Sequence, residues 1–234
     1  MKTEASPTIR TKTNLLPATL DEAYQNIILG LYRGELDADE YLSQTLDFFG
    51  RRNAIAVLNA YKNQALTGDS QLELLRRHID DCRYTILLYR VDENEVHPPH
   101  HHFNVISTQV VIQGKLRLRE YDRVRREGDG TLILRLVRDE LIGEGASFQA
   151  SEWKRNVHWF QAVDGPALIF NTNARGFEPE TFDHEDAGFG RRYIDPTAFI
   201  TDDEIRAEEF SDKEAKAKFS NRSLDSFPTP RDGI

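Results

Sequence analysis

The segment VHPPHHHFN, residues 96–104, holds four of the chain's seven histidines: His97, His100, His101 and His102. It lies in the interior of the sequence, so it is not a terminal tag. In an extended segment, side chains two residues apart share a face. His100 and His102 can therefore present two imidazoles to one ion, while His101 points the other way. A third ligand is needed. His158, in NVHWFQAV, is the leading candidate, because a barrel site would draw it from a separate strand. Neutral imidazole suits Fe, Zn, Cu or Ni. Taken alone, the cluster also suits a solvated histidine loop; the strand context and His158 favour the metal.

The elements that must position these rings follow from periodicity. Residues 1–18 are polar and expected to be loose, and 19–81 read as a helical segment packed on the barrel of residues 82–200. Thr19 and Glu22 have capping-box spacing ahead of AYQNIILGLYRG. Asp37 is placed to cap EYLSQTLDFF, with Gly50 ending it, and AIAVLNAYKNQAL forms a third helix closed by Gly68. SQLELLRRHI reads as a fourth, with Leu72, Leu75 and Ile79 spaced for one helical face.

At Cys82 the texture changes. RYTILLYRV, VISTQVVIQG, KLRLREYDRV, TLILRLVRDEL, NVHWFQAV and PALIFNTN are short β-branched, aromatic or alternating runs. The turn signals EGDG (Glu127 to Gly130) and Asp164-Gly165 separate two pairs of them. The expectation is a mainly β antiparallel sandwich or barrel over 82–200. From 201 to 234 the chain is charged. TDDEIRAEEF is expected to form a short capped helix and the rest a mobile tail.

Composition narrows the partners. The net charge is −9, which argues against a duplex nucleic-acid partner. No stretch approaches the roughly 18 apolar residues of a membrane span. MKTEASPTIRTKTN lacks the apolar run of a secretory signal. The single cysteine, Cys82, cannot form an internal disulfide and reads as a small buried hydrophobe. A cytoplasmic protein with a small-molecule substrate is the expectation. The sequence holds no glycine-rich phosphate loop and no Cys-x-x-Cys, and its carboxylates form no convincing catalytic pair. Glu120 and Asp122 read as a solvated edge.

The spacing around the histidines resembles the cupin family. The first cupin motif runs H-x-H, three or four residues, E, six residues, G. Here His100-His101-His102 is followed by four residues, Ser107, six residues and Gly114. His158 stands where the second motif supplies a further ligand, with Trp153 and Arg155 in place of the usual proline and glycine. The resemblance covers roughly residues 83–176. It implies a cupin double-stranded β-helix, a jelly-roll barrel, preceded by the helical segment. Within cupins the chain looks most like the cysteine dioxygenase group, which lacks the motif glutamate and binds iron through three histidines. By position this implies His100, His102 and His158 as ligands. His97 would be a neighbour behind them, and Ser107 takes the place where some of those enzymes carry a cysteine. Those enzymes use a histidine and a tyrosine late in the barrel, two residues apart; here the matching positions hold Asn171 and Asn173. The asparagines share one strand face and can orient a substrate, but they offer no phenolic proton. Free cysteine is therefore expected to be a poor substrate.

Three neutral imidazoles leave a divalent ion its full charge, so a substrate anion would supply the balance beside O2. Fe(II) is the expected cofactor, with Zn, Ni or Mn as alternatives. A substrate anion calls for an arginine. Arg83, Arg90, Arg117, Arg119, Arg155 and Arg175 lie in the barrel region. Arg117 and Arg119 oppose Leu116 and Leu118 and are expected to be solvated. Arg90 and Arg155 are the preferred candidates, with Asn171 and Asn173, for contact with substrate. Tyr84, Tyr89, Trp153, Trp159 and Phe160 can line a pocket, though core packing is the simpler role for each. Three functions compete: an iron dioxygenase, a Zn-, Ni- or Mn-dependent isomerase or lyase, and a non-catalytic ligand-binding cupin.

Overall fold

The computed structural model describes residues 9–67, 70–80, 82–152, 154–176, 190–201 and 204–229. Three helices, α1 (Ala18–Tyr32), α2 (Ala38–Phe49) and α3 (Arg51–Thr67), follow a first strand β1 (Ile9–Asn14). The α2 cap is the expected one: Asp37 accepts from the Glu40 backbone and Glu40 accepts from Asp37. The α1 start differs. Pro17 is its N-cap, with no side-chain cap, so Thr19 and Glu22 form no capping box. Its fixed φ suits a helix entrance.

The strands are β2 (Gln71–Ile79), β3 (Cys82–Val91), β4 (Val96–Phe103), β5 (Val105–Arg126), β6 (Leu132–Ile142), β7 (Ser147–Ala150), β8 (Val157–Arg175), β9 (Gly190–Phe199) and β10 (Ile205–Phe210). They hydrogen-bond in the order β1-β2-β3-β8-β4-β9-β10-β6-β5-β7, and a further β8–β5 pairing closes the sheet. The result is a mainly β closed barrel, preceded by a helical segment, as the sequence led us to expect. β8 is the hinge of this closure. Its first half pairs with β4 and with the second half of β5; its second half pairs with β3 and the first half of β5.

The runs VISTQVVIQG and KLRLREYDRV form one bent strand, β5. The bend sits at Gly114, where the register shifts on both sides of Gln113. Gly114 has φ +85°, and a Cβ there would stand 2.5 Å from the Pro166 carbonyl oxygen, so a side chain has no room. NVHWFQAV and PALIFNTN are likewise one strand, β8, turned at Asp164 and Gly165, both at positive φ. EGDG makes the expected turn, with the Glu127 amide bonded to Thr131.

Four expectations fail for physical reasons. Residues 9–14, expected to be loose, are strand β1, because β2 offers them an edge. SQLELLRRHI is not a helix but strand β2. A bulge between Glu73 and Leu75 breaks the period of two, so Leu74 and Leu75 are both buried and the run mimics helical spacing. TDDEIRAEEF is not a helix either. Ile205 and Ala207 alternate with Arg206 into a core shared with Leu132 and Leu134, as a strand requires. The helix comes later: α4 (Asp212–Phe219) is capped by a Ser211–Glu214 box. Finally, the tail is docked through residue 229. Ala215, Phe219, Leu224 and Phe227 are buried against Val96 and Trp159. Gly68, Trp153, residues 202–203 and residues 230–234 lie outside the described residues.

Docking of this segment also changes the outer face of β5. Leu116 and Leu118 face inward as expected, but Arg119 is only 2% exposed. Its guanidinium lies over Trp159 at 5.4 Å and donates to the Pro228 carbonyl at 3.4 Å. Arg117 pairs with Asp139 and with Asp225, the latter at 2.6 Å. The helices cover the opposite side, where Tyr24, Ile28, Tyr41 and Phe49 pack on Tyr84, Ile86 and Phe170.

Candidate metal centre and its cavity

β4 carries the histidine cluster on an irregular stretch. Its pairing with β8 shifts between His97 and His100, where Pro98 and Pro99 have no amide to donate. The Pro98 carbonyl instead accepts from His100 Nδ1 at 2.7 Å. A carbonyl can only accept, so this bond places the proton on Nδ1 and leaves Nε2 as the unprotonated nitrogen of His100, aimed at His158. His158 stands directly across from His100 on β8. The two Nε2 atoms are 2.8 Å apart. Ring centroids separate by 4.4 Å for His100–His158, 4.9 Å for His100–His102 and 5.1 Å for His102–His158.

One nitrogen from each of these three rings lies within 4.8 Å of the others. Bonds of about 2.0–2.1 Å to one ion would hold two imidazole nitrogens roughly 3 Å apart, so the group could hold a metal ion. His158 Nδ1 is buried without a hydrogen-bond partner among the described residues. Burial pushes all three rings toward the neutral form. It pulls His158 down to about 3, aided by the Arg191 charge, and His100 and His102 well below the usual histidine value. Neutral rings with exposed lone pairs are what a metal needs.

His101 points away, as parity requires. It is buried with its Nε2 3.6 Å from Glu209 on β10. His97 stacks on Phe160 at 4.5 Å and sits 3.5 Å from Glu95, which it holds below the usual carboxylate range.

His102 and His158 open onto a cavity of about 410 Å³. Asn171 and Asn173 do line it. Asn173 donates to Asn171, which donates to Ser107 Oγ at 3.0 Å. Tyr89 also lines the cavity and donates its hydroxyl to Gln109; burial raises its pKa, so it remains a phenol. A phenolic group is thus present, on β3 rather than late in the barrel.

The arginines are placed differently from expectation. Arg90 reaches the cavity wall but its Nε is bonded to Asp92 at 2.7 Å. Arg155 does not line the cavity. It sits exposed in the turn before β8 at φ +49°, with its amide bonded to Asp122. The cavity's other guanidiniums are Arg175 and Arg191. Parity announces the first, since Asn171, Asn173 and Arg175 alternate along one face of β8. Nothing in the sequence announces Arg191, because GRRYIDPTAF lacks the apolar alternation that marks the other strands; its register places it across from His102. Glu120 is also not a solvated edge. It shares the inward face of Leu116 and Leu118, is 0% exposed, and pairs with Arg138 at 3.2 Å. Burial raises its pKa.

No family model matches the chain, and no curated protein matches it. Solved structures with a similar shape include procruciferin, an 11S globulin from Brassica napus, at 11% identity and a TM-score of 0.33. The match covers 47% of this chain and 23% of that one, so it spans about a quarter of the globulin. An oxalate decarboxylase variant from Bacillus subtilis is 17% identical over 40% of this chain and 21% of its own, with a TM-score of 0.29. KdgF from Halomonas sp. is 16% identical over 47% of this chain and 83% of its own, also at 0.29. Among the described residues no helix is long and apolar enough to cross a membrane.

Proposed function

We propose that this chain is a mononuclear non-haem iron dioxygenase that acts on a small anionic substrate with O2. The observation that carries the reading is the donor set: three neutral imidazoles from two facing strands, with no carboxylate among them, two of which, His102 and His158, open onto a polar cavity. His100, His102 and His158 would hold Fe(II), which when bound supplies the redox chemistry of O2 activation. The chain's own residues do the rest. Pro98 fixes the His100 tautomer. Asn171 and Asn173, tied to Ser107, orient polar groups of the substrate without titrating. Tyr89 and Gln109 present a neutral donor–acceptor pair, and Phe160 with the stacked His97 gives the cavity one apolar wall. A reducing, cytoplasmic setting suits an Fe(II) site and a lone buried cysteine.

The test is anaerobic loading with Fe(II), followed by oxygen-electrode measurement across carboxylic, keto, amino and thiol acids. The expected result is iron-dependent oxygen uptake with a carboxylate-bearing substrate and little with free cysteine. Turnover under strict anaerobiosis with Zn or Ni, and none with iron and oxygen, would replace this reading with an isomerase or lyase.

A further inference from the structure

Two cations in the cavity make no ion pair among the described residues. Arg175 and Arg191 both line it. Neither makes an ion pair among the described residues, and Arg175 Nε is buried with no hydrogen-bond partner. Burial lowers the Arg175 pKa, and the charges of Arg191, Arg76 and Arg83, all positive, lower it further. The nearby acids are already engaged: Glu95 with His97, Asp92 with Arg90, and Asp212, which feels the Arg191 charge, with Lys216. A partly buried guanidinium beside a second one, with no carboxylate among the described residues bonded to either, is costly unless an anion arrives.

Register places this pair next to the metal centre. Arg191 lies across from His102 in the β4–β9 pairing, and directly opposed residues on neighbouring strands are about 5 Å apart and share a face. Arg175 lies two residues beyond Asn173 on the cavity face of β8. The cavity thus presents two separate positive regions: a divalent ion on three neutral rings, and two guanidiniums a short distance away. One monoanion satisfies only one of them. Guanidinium matches the planar, two-oxygen edge of a carboxylate.

We propose that Arg175 and Arg191 form an anion subsite that takes one carboxylate of a small dicarboxylate, whose other carboxylate faces His100, His102 and His158. This rests on the metal-centre reading for the second carboxylate only; the arginine pair stands on its own geometry. Arg191 faces His102 across paired strands, which suits a spacer of a few carbons.

The experiment is titration calorimetry on the full chain, in chelator-treated and in Zn(II)-loaded form, zinc being redox-inert. The probes are succinate, glutarate, butyrate and inorganic phosphate. In the zinc form, succinate or glutarate is expected to bind at least about tenfold tighter than butyrate. Arg175→Gln and Arg191→Gln are each expected to weaken that binding by about tenfold or more, as loss of a charged hydrogen bond does, with zinc content unchanged. In the metal-free form, succinate and butyrate should bind alike and weakly, and both should still be weakened by the two substitutions. A chain that takes up no zinc would defeat the metal centre, while the metal-free arm still reads the arginines. Binding that ignores both substitutions overturns the subsite. Diacids no tighter than butyrate in the zinc form, or phosphate tighter than either diacid, overturn the dicarboxylate. Arg191 is solvent-exposed, so its variant decides the matter if Arg175→Gln does not fold.

Discussion

His158 on β8 faces His100 on β4 with 2.8 Å between their Nε2 atoms, while the Pro98 carbonyl engages His100 through Nδ1. The proton that would make His100 a poor ligand is thus held on the far side of the ring. That arrangement makes the histidines separable by experiment.

Alanine at His100, His102 or His158 is expected to remove most bound transition metal, starting from about one ion per chain. His101→Ala should keep the metal, because His101 faces Glu209 across the sheet. It should still lower the melting temperature, since the ring is buried. Elemental analysis of the four variants checks this; full metal occupancy in His158→Ala would remove that ring from the ligand set.

The metal-free protein should lose stability as pH falls. All three rings have folded pKa values below the unfolded value, with His158 at about 3. In the window between about 6.5 and about 3 the unfolded chain binds protons that the folded chain refuses. Their contribution is therefore complete above about 6.5 and is lost progressively on acidification. Denaturant melts of chelator-treated protein at pH 7.5 and 5.5, compared with His158→Gln, read this out. The variant should show the smaller loss; equal losses would mean that His158 titrates alike in the folded and unfolded chain.

The C-terminal segment should be structural. Phe219 is 0% exposed, between Trp159 and Phe227 at 5.1 and 5.2 Å. Phe219→Ala is expected to cost about 3–5 kcal/mol, and deletion of residues 212–234 to lower the melting temperature by many degrees. A melting temperature unchanged by the deletion would show that the segment is not docked in solution.

Much of the site is legible in the sequence. The period of two separates His100 and His102 from His101 because side-chain direction in a strand is local geometry. The same parity joins Asn171 to Asn173 and, carried one step further, to Arg175. The barrel itself is legible in its alternating runs and turn residues. Where a bulge interrupts alternation, as between Glu73 and Leu75, the local pattern misleads, and β2 reads as a helix. Apart from His158, placed by the motif spacing, long-range relationships are out of reach. That Phe219 and Phe227 cover Trp159 depends on a surface built by residues far earlier in the chain. That Arg191 stands across from His102, that Arg155 lies outside the cavity, and that Glu120 is buried all depend on which strands pair and where they bend. The sequence by itself determined which side chains can share a face. Only the tertiary structure decided which faces meet, because strand pairing and burial are settled by the whole sheet closing at once.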